Sequence, residues 1–358
     1  MEEHLERYKG KKLVFLFDTN VYRSIAKMTK DGRIIGNRFI IDEMNRREAD
    51  NNYKSIMSLT ASQELLNHLH KDEDKRIYEE CNNALRFQFF HTQILQLPAT
   101  VPLIDSLLTL FFFNTDTKDN RLGVSRYIFT LLNKIFSQNV EMSFLQKDIE
   151  AIRNDFLSDK RVFYNLFNLF LKRPDNIQDD GTYKKGNYKL HESLNRNEHV
   201  SYMRDFLIKR AKYQFSDNLD EEIVESKVIE FDFYFKEAFL QFRYLFEVLR
   251  DNPNKLELLE YNNIWNSIMD FHIVFEWCYL KYNHRGGDIE AVLITDDKKN
   301  NNKNLSSYKN GEGRNPDVWP LVAYFEFLGF IVEGTDIKDY KIHFKNTYSS
   351  KKVCSTSE

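Results

Sequence analysis

The chain has 358 residues, 42% hydrophobic and 29% charged, and its formal net charge of −3 supplies no global basic field to draw it onto nucleic acid. That length accommodates two domains, or one domain carrying a large insertion. Its three cysteines form no CxxC pair, which argues against a cysteine-based zinc site and for a reducing cytoplasm. The opening MEEHLERYKGKK lacks the apolar core of a signal peptide, and no apolar run is long enough for a bilayer.

With 30 Phe, 19 Tyr and only 12 Gly and 6 Pro, the composition suits long helices and few tight turns. The run LVFLF at 13–17 reads as a strand buried on both faces. Helical spacing follows in NVYRSIAKM and again in RFIIDEMNRREADNN, and a short strand is expected at 55–59. TASQELLNHLHK reads as a helix with Thr60 as its cap and Gln63 completing a capping box.

Residues 76–261 change character: apolar residues recur at steps of three and four, which predicts an aromatic-rich helical block. Inside it, 173–199 is polar and reads as a loop or lid around Gly181 and Gly186. Alternating character returns at 262. A helix closing at Gly286 and Gly287 is followed by the strand AVLIT and the acids Asp296 and Asp297. A long polar loop, a helix over PDVWPLVAYFEFLG, a last strand at 330–334 and a loose tail at 349–358 complete the chain. The expected organisation is an α/β core in two halves, 1–75 and 262–348, interrupted by the helical insertion.

Two distant strands therefore end in acids: Asp18 after the first, Asp296 and Asp297 after the second. In an open parallel sheet, ligands bind at the carboxyl ends of the strands. Glu64 in the helix from Thr60 and Asp270 in the helix before AVLIT can add further oxygens, the ligand type preferred by Mg²⁺. Each acid also has a plain structural role open to it. Asp18 can cap the helix it precedes, and Glu64 can sit solvated in a first turn. Asp270 lies amid apolar spacing, where burial without a partner is costly.

Taken in order, FLFDTNVY, SLTASQELL, IMDFHIVFEWCYL and VLITDDKKN resemble the PIN-domain nucleases. The resemblance implies a PIN-like parallel-sheet core flanked by helices. It also implies a site for Mg²⁺ or Mn²⁺ built from Asp18, Glu64, Asp270 and Asp297, with Asp296 as neighbour or substitute. Thr19, Asn20 and Thr295 would orient those acids. Activity on RNA rather than DNA is implied in the same way. The matching pieces cover about residues 11–70 and 262–340; the insertion is far larger than small PIN domains carry and lies outside the resemblance. Such an insertion suits a homo-oligomer or protein-partner surface, and a regulated toxin or anti-phage role.

Around the expected site, Lys298, Lys299, Arg314 and Arg285 are basic side chains able to follow a phosphate backbone, or simply to solvate a loop. A catalytically silent scaffold binding protein or RNA is one alternative. Another is a metal-independent ribonuclease of the HEPN type, because RFQFFH places Arg86 and His91 at a matching spacing. HESLNRNEH lacks the second His of a zinc-protease motif, and GTYKKGNY lacks the residues that complete a phosphate loop.

Overall fold

The apolar run after Lys12 becomes the middle strand of a parallel sheet in the computed structural model. The structure describes residues 7–8, 10–35, 40–94, 97–113, 123–171, 204–211, 221–239, 262–295, 316–334 and 340–344. The first half contains β1 (Lys12–Phe17), α1 (Thr19–Lys30), β2 (Ile34–Ile35), α2 (Ile40–Asp50), β3 (Tyr53–Ser58), α3 (Leu59–Asn67), α4 (Lys75–His91), β4 (Gln93–Ile94), β5 (Leu97–Pro98) and β6 (Thr100–Val101). Then come α5 (Ile104–Phe113), α6 (Gly123–Phe136), α7 (Gln146–Leu171), a helical stretch at 204–211, α8 (Glu221–Tyr234) and α9 (Asn262–Asn283). The chain continues with β7 (Ile289–Thr295), β8 (Val318–Pro320), α10 (Leu321–Phe327), β9 (Ile331–Glu333) and β10 (Lys341–His343).

Five strands in the order β6-β3-β1-β7-β8 form one sheet, every pair parallel. The side chains of β1 alternate between its two faces. Val14 and Leu16 join the core cluster that also holds Ala291 and Leu293; Phe15 and Phe17 join the one that holds Val292 and Ile294. Both faces are covered by helices, which is why β1 and β7 read as continuous apolar runs rather than as alternation. Burying each such side chain contributes about 1.5–3 kcal/mol.

Because all five strands are parallel, their carboxyl ends share one edge. Leu16 pairs with Ile56 and Phe17 with Ile294, so Asp18 stands level with Ser58 and Thr295. α9 and β7 are joined by a short connection and run antiparallel, with the Trp277 indole N–H donating to the Ala291 carbonyl at 2.9 Å.

Several local expectations change. Ser58, not Thr60, caps α3: its hydroxyl accepts the Ala61 N–H at 2.9 Å, and the helix begins at Leu59. Gln63 completes no capping box but donates its amide to Asp155 at 2.9 Å. The segment 316–329 is not a single helix. Val318–Pro320 pairs with Leu293–Thr295 at the sheet edge before α10 starts, a strand too short to leave a periodic signal. The strand expected at 330–334 forms as β9, but in a separate small sheet of order β2-β10-β9. Within 76–261, Thr100–Val101 pairs with Met57–Ser58, so the segment read as purely helical supplies the sheet's other edge strand. The loop at 173–199 and the tail at 349–358 lie outside the described residues. Among the described residues no helix is long and apolar enough to cross a membrane.

Candidate functional site at the carboxyl edge of the sheet

Asp18 follows directly on β1, its backbone N–H still bonded to Ile294 at 3.0 Å, as though the strand ran one residue further. The chain then turns into α1, and Asp18 serves as its cap. Oδ1 accepts the Asn20 backbone N–H at 3.3 Å, while Oδ2 lies 3.4 Å from the Thr295 hydroxyl. Asp18 is 5% exposed and Thr295 is also buried. The cap reading and the site reading thus describe one carboxylate, oriented by α1 on one side and by the end of β7 on the other.

The next residue reaches sideways. Thr19 is buried, and its hydroxyl donates to Glu64 Oε2 at 2.6 Å. This brings α3, which grows out of the neighbouring strand β3, against the start of α1. Burial raises the pKa of Glu64, opposed by the Thr19 hydrogen bond and by the charges of Arg23 and His68. Asp18, Thr19, Glu64 and Thr295, named separately along the sequence, are therefore joined at one edge. Asn20 contributes through its backbone; its side chain is exposed.

Asp270 stands on α9 two turns before Trp277, which puts it on the same side of that helix and about 10 Å nearer the helix start. Since α9 runs antiparallel to β7, those two turns carry Asp270 toward the end of β7 that holds Thr295, and it is half-buried there. Asp296, Asp297, Lys298, Lys299 and Arg314 lie outside the described residues.

Arg285 goes elsewhere. It follows the carboxyl end of α9, where the chain turns into the start of β7, and its guanidinium lies over the Tyr282 ring at 3.7 Å. The length of β7, about 20 Å, separates it from Thr295. Sequence proximity to AVLIT concealed that the two ends of a strand face opposite edges of a parallel sheet.

Arg86 and His91 are also separated in environment. Arg86 is exposed, with its guanidinium 5.9 Å from the centre of the Phe90 ring. His91 is buried, its Nε2 3.2 Å from Glu48, which also accepts the hydroxyls of Ser55 at 2.7 Å and Tyr324 at 2.6 Å.

Two features escaped the sequence. Glu276, within the apolar run VFEWC, is wholly buried, and its Oε1 accepts the Thr60 N–H at 3.1 Å and the Thr60 hydroxyl at 2.6 Å. Burial pushes its pKa up to about 8, against the lowering effect of the two hydrogen bonds from Thr60. Beside α3 lies a cavity of about 360 Å³ whose lining includes Gln63, Asp105, Asp155, Asp159, Arg210 and His272. Arg210 bonds both Asp105 and Asp159, while burial drives the His272 pKa down to about 4. These groups come from five stretches of chain, and no local motif links them.

Could this edge hold a divalent cation? Among the described residues no group of three or more His, Cys, Asp or Glu side chains converges as a metal centre, and Asp296 and Asp297 fall outside those residues. The donors that do meet are oxygens, as a hard cation requires. Burial also raises the pKa of Glu64, the kind of strain a bound cation relieves. On donor chemistry the residues fit Mg²⁺ or Mn²⁺. Comparison with family models, curated proteins and solved structures finds no match to this chain.

Proposed function

We propose that this chain is a PIN-like, metal-dependent nuclease that hydrolyses phosphodiester bonds, with RNA as its substrate. The observation that carries the reading is the joining of Asp18 and Glu64 through Thr19 at the carboxyl edge of a parallel sheet, with Thr295 on the far side of Asp18. A structural cap needs none of that company: an exposed Asp or Ser at the start of α1 would serve as well.

Asp18, Glu64 and Asp270 would hold Mg²⁺ or Mn²⁺, with Asp296 and Asp297, next in sequence after Thr295, as further ligands. When bound, such an ion stabilises charge on the phosphate and lowers the pKa of an attacking water. The chain's own part is to hold the carboxylates ready. Thr295 and the Asn20 N–H fix the two oxygens of Asp18, and Thr19 fixes one oxygen of Glu64. The start of α1 directs its positive end toward the same edge, which favours an anionic substrate. RNA rather than DNA rests on the family resemblance alone.

The test is cleavage of single-stranded RNA and DNA by the full chain with Mn²⁺, with Mg²⁺ and with chelator, alongside Asp18→Asn. Metal-dependent RNA cleavage that vanishes in the variant supports the reading. A folded chain that cleaves equally well in chelator, with Asp18→Asn unaffected, refutes it. Binding of RNA without cleavage points to a silent scaffold.

A further inference from the structure

We propose that Glu276 is a positioning residue that locks the helix of Glu64 to the helix of Asp270; the inference rests on the nuclease reading above and extends it to a residue outside the acidic set. α9 carries both Asp270 and Glu276. From that helix, Oε1 of Glu276 takes the Thr60 N–H and hydroxyl, in the first turn of α3 and one turn before Glu64. Ser58 already caps α3 locally through the Ala61 N–H, so Glu276 acts as a second cap delivered from another element. A rotation or slide of α3 that moved Glu64 away from Thr19 would break both Thr60 contacts.

The clamp is expensive for the fold. Glu276 is 0% exposed, and among the described residues its Oε2 is buried with no hydrogen-bond partner. A buried acceptor left unsatisfied costs about 1–3 kcal/mol, and an apolar side chain of similar volume at such a site is often neutral or stabilising. Tying two helices together needs no carboxyl group, because the surrounding Phe275, Trp277 and Cys278 already pack into the core. What the carboxyl group adds is a fixed register between the two helices at the level of the site.

The experiment uses the full chain with Glu276→Gln and Glu276→Val. It reads Mn²⁺ binding by electron paramagnetic resonance, and amide exchange of 59–67 without metal. The Gln amide oxygen can keep both Thr60 contacts, so exchange and Mn²⁺ affinity stay at the unsubstituted level. Val leaves the Thr60 donors buried and unmet. Exchange in the first turn of α3 then accelerates and Mn²⁺ affinity falls about 10–100-fold, the range for groups that orient metal ligands. A folded Glu276→Val chain with unchanged exchange and affinity overturns the proposal, as does a Gln variant as defective as Val. Should the Val variant fail to fold, Thr60→Val removes one of the two donors and is read the same way. If the unsubstituted chain binds no Mn²⁺, the metal reading fails; unchanged α3 exchange in the variants then overturns the clamp on its own evidence.

Discussion

The hydroxyl of Thr19 and the carboxylate of Glu64 meet at 2.6 Å, linking the first residue of α1 to the body of α3. Because β1 and β3 are adjacent and parallel, the helices that follow them start side by side, and this bond fixes Glu64 beside the cap residue Asp18. Replacing Thr19 with Val keeps the shape and deletes the donor. Mn²⁺ affinity should fall about 10–100-fold with little change in melting temperature. Calorimetric titration checks it; unchanged affinity would leave the Thr19 bond a packing detail.

Asp18→Asn should reduce cleavage more than ~100-fold while the far-ultraviolet spectrum stays that of the unsubstituted chain. The amide retains an oxygen for the Asn20 N–H, and Asn caps helices about as well as Asp. A lost activity accompanied by a lost fold would assign Asp18 to the cap alone.

Glu276 should make stability fall with pH. Its folded pKa is raised to about 8 from an ordinary value of 4.5, so between those values the folded chain holds a proton that the unfolded chain has released. This contribution is complete below about pH 4.5 and is lost as pH rises toward 8, at about 1.4 kcal/mol per pH unit. Glu276→Gln should flatten that component in urea titrations between pH 5 and 8. An unaltered slope would mean that the carboxyl is already ionised in the fold.

Arg210 should matter for stability. Its side chain is 13% exposed and pairs with Asp105 on α5 and Asp159 on α7. Arg210→Met removes one sign of charge from a partly buried cluster and should cost ~3–5 kcal/mol, measured by urea unfolding. A loss below about 1 kcal/mol would place the cluster in effective contact with water.

Arg285→Ala should leave cleavage rate and substrate affinity unchanged, because the side chain stacks on Tyr282 at the edge opposite Asp18. A tenfold loss of RNA affinity would show that substrate reaches across the molecule.

By itself the sequence determined what depends on neighbours along the chain. The runs LVFLF and AVLI are apolar at every position, as strands covered on both faces require, and each is a strand of the central sheet. Asp18 at a strand end before helical spacing fixed its place on the sheet's carboxyl edge. Tertiary structure decided what depends on pairing across the chain. Thr100–Val101 and Val318–Pro320 are strands only because β3 and β7 offer them hydrogen-bonding partners. Arg285 and Thr295 flank a single strand and so face opposite edges, a distinction that proximity in sequence erases. Glu276 carries no local signal within the apolar run VFEWC; only the fold brings the first turn of α3, with its Thr60 donors, against it. A buried polar group is explained by its hydrogen-bond partner, and here that partner lies 216 residues away.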